Sequence, residues 1–308
     1  MASDLSVQAL FSVKGKIALI TGGGTGIGKT IASALAQNGA KVYIAARKEG
    51  ALKEVEDEVS DDGVILIHST SFNSTKQTTA ELNAQCSGSA RYIVADISNK
   101  AGVEALISAL TVLEPSKKLH ILVNNSGATW GSPFDDVPED KGWDNIMAVN
   151  VKSLFYLTAG LSTWLAKDAT AQDPGHVINI SSTASVTPRA EGLVSAAGSG
   201  TYAYNVSKAA VNHLTSILAV KLGPQKITVN AICPGIFPTK MTAFGFKSAG
   251  EEKIIAQQPT GRFGQPTDLA GLALFLSSPA SAHVTGAHII LDGGATLSSQ
   301  EIAPQVKL

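Results

Sequence analysis

The sequence predicts one α/β domain built on a doubly wound parallel sheet of about seven strands, with helices on both faces. Three observations predict it. Short apolar runs alternate with helical patterns along the chain, and each run is apolar on both faces, as a strand covered on both sides must be. A glycine-rich turn joins the first run to the first helix. No internal repeat or long linker divides the 308 residues, so 1–308 is read as a single domain.

The elements follow in order. "KIALITG" (16–22) is the first strand, and "GIGKTIASALAQNG" (26–39) the first helix, with Ile27, Ile31 and Leu35 at helical spacing. The further strands are "KVYIAAR" (41–47), "ARYIVADI" (90–97), "HILVNNSG" (120–127), "HVINISS" (176–182), "ITVNAICPG" (227–235) and "AHIILDGG" (287–294). Helical stretches lie near 100–112, 142–166, 204–223 and 266–277. Such alternation closes into right-handed crossovers on a parallel sheet.

Two stretches break this rhythm. Residues 61–83, "DDGVILIHSTSFNSTKQTTAELN", fall where a loop of a few residues suffices, and read as an insertion outside the catalytic core. Within it "VILIH" is a candidate edge strand and "STSFNSTKQTT" a surface loop. Residues 187–201, rich in Gly, Ala and Ser, read as a flexible segment beside the helix that follows.

Composition removes several classes of function. The hydrophobic content of 44% and charged content of 16% belong to a globular chain rather than a disordered or fibrous one. A net charge of −1, from 24 basic and 25 acidic residues, supplies no basic field for nucleic acid or an anionic membrane. No apolar run approaches a spanning helix, and the N-terminus lacks the layout of a secretory signal. The two cysteines, Cys86 and Cys233, are far apart and suit a reducing compartment. The Asn-x-Ser/Thr matches at Asn73, Asn124, Asn179 and Asn205 are then accidental. The terminal "VKL" only partly resembles a peroxisomal tail, and the expected location is the cytoplasm.

"TGGGTGIG" (21–28) sits directly between a buried strand and a helix start. That context places backbone N–H groups and a helix dipole against a pyrophosphate. Gly22 permits the tight turn, and Gly26 and Gly28 permit close approach; Thr25 and Ile27 complete the loop. An acidic residue after the second strand would bind the 2′-hydroxyl of NAD. This chain carries Arg47 and Lys48 there, which attract a 2′-phosphate and point to NADP. "YNVSK" (204–208) puts Tyr204 and Lys208 on one helix face. A phenol is a poor acid or base near neutrality unless a positive charge stabilises its phenolate, and Lys208 is placed to supply one.

"TGGGTGIG", "NNSG" (124–127), "NVKS" (150–153), "INISS" (178–182), "YNVSK" and "ICPGIFPT" (232–239) occur in the order expected of the short-chain dehydrogenase/reductase family. The chain resembles that family from about residue 14 to 295, and within it carbonyl reductases of the 3-oxoacyl type. The resemblance implies a Rossmann-like fold and a catalytic tetrad of Asn150, Ser182, Tyr204 and Lys208. Asn150 would hold a proton-relaying water, Ser182 would donate to the developing alkoxide, and Tyr204 would act as acid. Lys208 would also hold the nicotinamide ribose. By the same mapping Asp96 and Ile97 bracket the adenine, and Asn124 and Gly127 line the ribose and support the sheet. Ile236 and Thr239 meet the carboxamide.

Two departures stand out. The family usually sets its serine closer to the tyrosine than the 22 positions between Ser182 and Tyr204, so 187–201 must loop out. Many NADP-preferring relatives carry a basic residue where this chain has Thr25. Residues 240–260 read as a lid, with Trp130, Phe237, Phe244 and Phe246 as candidate apolar walls.

The expected function is an NADPH-dependent reductase of a small-molecule ketone, assembled as a homodimer or homotetramer. The alternatives are an alcohol or polyol dehydrogenase and a non-catalytic NADP-binding regulator.

Overall fold

The computed structural model describes residues 4–46, 70–86, 90–192, 195–196, 198–243, 246 and 250–298. The chain passes through α1 (Val7–Leu10), β1 (Ile17–Thr21), α2 (Gly26–Gln37), β2 (Lys41–Ala46), α3 (Thr70–Cys86) and β3 (Ala90–Val94). It continues with α4 (Lys100–Leu113), β4 (Ile121–Asn124), α5 (Asn145–Met147), α6 (Ser153–Ala166), β5 (Gly175–Ile180) and α7 (Tyr202–Leu222). β6 (Ile227–Pro234), α8 (Glu251–Ile255), α9 (Pro266–Leu276) and β7 (His288–Leu291) complete it.

The strands form one seven-stranded sheet in the order β3-β2-β1-β4-β5-β6-β7, every pairing parallel. Side chains alternate between two apolar layers, as the period of a strand requires. Leu19 of β1 packs with Leu106 and Leu110 of α4, Leu157 and Leu161 of α6, and Val211 of α7. Its neighbours Ala18 and Ile20 pack in the opposite layer with Ile31 and Leu35 of α2 and Leu269 and Ala273 of α9. The β1/β4 neighbourhood is where the connections reverse direction, so the loops leaving these strands open a crevice at their carboxyl ends.

Three expectations need correction. β7 is not covered on both faces: it is an edge strand whose His288 and Ile290, on one face, are exposed, Ile290 at 41%. The helix expected over 142–166 is regular only as α6; two π-helical turns, Glu139–Asp144 and Ala148–Lys152, precede it. Residues 70–83, read as part of a surface insertion, belong to α3, the crossover helix between β2 and β3. Its weak amphipathic pattern hides tertiary anchors. Thr78 is buried and its hydroxyl donates to Gly24 O at 2.9 Å, Leu82 is buried, and Lys29 pairs with Glu81 at 2.6 Å. The candidate strand "VILIH" lies outside the described residues.

Candidate active site

The glycine turn is shaped by its neighbours. Gly22 has φ +67, and a Cβ there would lie 2.8 Å from Asn125 Nδ2. Asn125 donates through Nδ2 to Thr21 O (2.9 Å) and Gly22 O (3.1 Å), while Thr21 Oγ1 accepts from the N–H groups of Asn125 and Ser126, both at 3.0 Å. The β4 exit and the glycine turn are thereby tied into one piece. α2 begins just beyond, with no side-chain cap on its N-terminus and no acidic residue in its first turn. Uncapped N–H groups, a positive dipole end and no competing carboxylate fit the pyrophosphate of a dinucleotide.

Gly28 does not face the cavity. A Cβ there would meet Gly22 O and Asn125 Nδ2, each at 2.4 Å, so it serves close packing of α2 on the turn. Gly28→Ala is therefore expected to lose about 1–3 kcal/mol of stability by overpacking and to weaken dinucleotide binding. Thermal unfolding and a dinucleotide titration check this.

One cavity of about 370 Å³ runs from Gly24, Thr25, Gly26 and Ile27 to Ser182, Tyr204 and Lys208. Gly22, Gly127 and Thr239 line it as well. Thr239 closes over the glycine turn, its methyl 3.2 Å from where a Cβ of Gly26 would stand. Other expected contacts lie elsewhere. Asn124 is buried and donates to Thr158 Oγ1 (3.1 Å) and Asn179 Oδ1 (2.9 Å), so it ties β4 to β5 and α6, supporting the sheet as expected, and it does not line this cavity. Asn125, one residue further, takes the place by the cavity. Ile97 packs in the core, Asp96 is exposed with its carboxylate on Ser98 N–H, and Ile236 lines a smaller neighbouring cavity. Arg47, Lys48 and Phe244 lie outside the described residues. Sequence reading missed Asn125, Ser126 and Lys240; the strand exit after Asn124 was the available signal for the first two.

Among the aromatic candidates, Phe237 lines the cavity and is buried in the core, whereas Phe246 packs edge-on against Phe263 at 4.8 Å. Trp130 is 40% exposed, beside Gly142. Residues 187–192 and 198–201 contain no helix, and their one strand-like feature is the Ser132–Gly200 bridge.

The catalytic candidates come from three elements. α7 presents Tyr204 and Lys208 one turn apart, and the end of β5 presents Ser182. Ser182 faces Tyr204 and holds its phenol down against burial, which is the larger effect and pushes it above the ordinary value. Burial lowers Lys208 to about 8. Its ammonium donates to Ile180 O at 2.8 Å and lies 5.5 Å from the Tyr204 ring centroid.

The neighbouring alternatives are otherwise engaged. Ser181 Oγ donates to Lys208 O (3.1 Å), and Tyr202 OH to Glu191 Oε1 (2.5 Å). Asn150, buried in the second π-turn, accepts from Ala128 N (2.8 Å) and donates to Ala128 O (3.0 Å) and Ser207 Oγ (2.8 Å). Its amide positions Ala128 and α7.

The fold is Rossmann-like, and its main cavity brings a serine, a tyrosine and a lysine to the glycine turn. The profile described as enoyl-(acyl carrier protein) reductase matches residues 57–296, and that of short chain dehydrogenase matches 16–70. The chain belongs to the short-chain dehydrogenase/reductase family. It is 38% identical over 285 residues to the rhamnolipids biosynthesis 3-oxoacyl-(acyl-carrier-protein) reductase of Pseudomonas aeruginosa, covering 92% of this chain and 97% of that one. It is 34% identical to the 2-dehydro-3-deoxy-D-gluconate 5-dehydrogenase of Bacillus subtilis, covering 92% and 96%. The solved RhlG/NADP active-site complex of Pseudomonas aeruginosa superposes with a TM-score of 0.78 at 36% identity, over 93% and 98% of the two chains. Among the described residues no helix is long and apolar enough to cross a membrane, and no group of His, Cys, Asp and Glu could hold a metal ion.

Proposed function

We propose that this protein is an NADPH-dependent carbonyl reductase that transfers hydride to a ketone, in particular a 3-oxoacyl or polyketide-like carbonyl. One observation carries the reading: Ser182, Tyr204 and Lys208 line the same cavity as the glycine turn. When bound, the reduced dinucleotide supplies the hydride. The Tyr204 phenol gives its proton to the carbonyl oxygen, and the Ser182 hydroxyl donates to the charge developing there. Lys208 holds the ribose and returns a proton toward Tyr204. The similarity to the 3-oxoacyl reductase supports the substrate class. The similarity to the sugar-acid dehydrogenase favours a second reading, oxidation of a polyol or sugar acid. NADPH consumption across a panel of 3-oxoacyl thioesters, simple ketones and keto sugar acids separates the two.

The same reading assigns the 2′-phosphate to Arg47 and Lys48. Arg47→Asp is expected to move kcat/KM from NADPH toward NADH by about 10–150-fold, the worth of one charge-assisted hydrogen bond. Lys48 leaves the switch incomplete. A wild-type preference for NADH would overturn the assignment. Cytoplasmic location and a homodimer or homotetramer belong to the reading too. Exposed apolar side chains on α6 and α7, among them Phe155, Val206, Ile217 and Val220, support the assembly.

A further inference from the structure

We propose that Asn212 and Ser185 are positioning residues that aim the Ser182 hydroxyl at the reacting oxygen, through a hydrogen-bonded chain from β6 to the turn after β5. The inference rests on the reading of Ser182 as the group that donates to the substrate oxygen.

α7 carries Tyr204, Lys208 and Asn212 at four-residue intervals, on one stripe. Asn212 is only 7% exposed, where an amide without partners is costly and an aliphatic side chain would be the default. Both ends of the amide are engaged. Its Oδ1 accepts from Cys233 Sγ at 3.5 Å and its Nδ2 donates to Ser185 Oγ at 2.8 Å. Ser185 Oγ donates in turn to Ser182 O at 2.5 Å. The contacts run from Cys233 through Asn212 and Ser185 to Ser182, and Ser185 Oγ also lies 4.0 Å from Cys233 Sγ, so the group closes on itself. Burial pushes the Cys233 thiol up, so it stays a donor at the head of the chain.

Ser182 caps the single 3₁₀ turn Thr183–Ser185, and its Oγ accepts from Ala184 N at 3.1 Å. One lone pair of that hydroxyl is thereby occupied, and its proton is left for the cavity and Tyr204. The described residues that follow this turn, 187–192, contain no helix or strand. Asn212 substitutes an anchor from the helix that bears Tyr204. Serine and tyrosine are then held in register by one rigid element, and a small misplacement of either would be felt in the chemical step.

The test uses the full chain and the best substrate of the ketone panel. Ser185→Ala and Asn212→Leu are each expected to lower kcat roughly 10- to 100-fold with the NADPH dissociation constant unchanged. Ser185→Thr, which keeps the hydroxyl, is expected to restore most of the rate. In the oxidative direction both damaging variants should move the onset of alcohol oxidation to higher pH, as Ser182→Ala does, because the phenol loses the partner that holds it down. A merely structural role would lower the melting temperature without moving that onset. If Ser182→Ala is inactive while Ser185→Ala and Asn212→Leu keep the wild-type rate and pH profile, the positioning inference is overturned and the reading of Ser182 stands. If Ser182→Ala itself reduces ketones at the wild-type rate, both fall.

Discussion

Tyr204→Phe is expected to lose ketone reduction while keeping its grip on the dinucleotide. The phenol lines the cavity, and burial raises it above the ordinary value, so it is protonated at neutral pH. Removing a general acid typically lowers turnover by about 10²–10⁴-fold. The substitution deletes one oxygen and leaves the ring packed as before, so folding and cofactor affinity should persist. Single-turnover hydride transfer, with a fluorescence titration of NADPH on the same sample, separates chemistry from binding. Wild-type turnover in Tyr204→Phe would refute the catalytic assignment. Loss of NADPH binding would instead assign the hydroxyl to dinucleotide binding.

Lys208→Met is expected to damage both steps. The long apolar side chain preserves most of the packing at this 4% exposed position but removes the charge. Turnover should fall at least as far as the ~10²-fold of a lost acid–base partner, and the NADPH dissociation constant should rise, because the ammonium is assigned to the ribose hydroxyls. The pH profile gives an independent check. Burial brings Lys208 to about 8, so its positive charge is present below that pH and lost above it. Reductive kcat/KM of the wild type should therefore decline as pH rises through about 8, and this limb should vanish in Lys208→Met. A limb of unchanged position in the variant would assign it to another group.

Much of this architecture was legible in the chain itself. The apolar runs from Ile17–Thr21 to His288–Leu291 have strand length and lie between helical patterns, and all seven pair in one parallel sheet. The Tyr204–Lys208 spacing and the strand exit at Ser182 are local relations, and local geometry carries them into the cavity unaided. α3 was not legible in the same way. Its pattern is polar, and it is helical because Thr78 and Leu82 find partners on the glycine turn and in the core, which no window of sequence contains.

Three matters were decided by tertiary structure. Asn124 and Asn125 are chemically identical neighbours; strand alternation turns the first into the sheet, where Thr158 and Asn179 satisfy it, and leaves the second beside the cavity. Asn150 is visible in its motif, but the partners of its amide, Ala128 and Ser207, meet it only once α7 is docked. The protonation of the tyrosine–lysine pair follows burial rather than spacing, so the phenol rises and the ammonium falls. By itself the sequence determined the seven strands and the placing of the glycine turn, Ser182, Tyr204 and Lys208 at the crevice, because periodicity and turn chemistry act over a few residues. Hydrogen-bond partners and charge states depend on groups far apart in the chain, and only the packed structure brings those together.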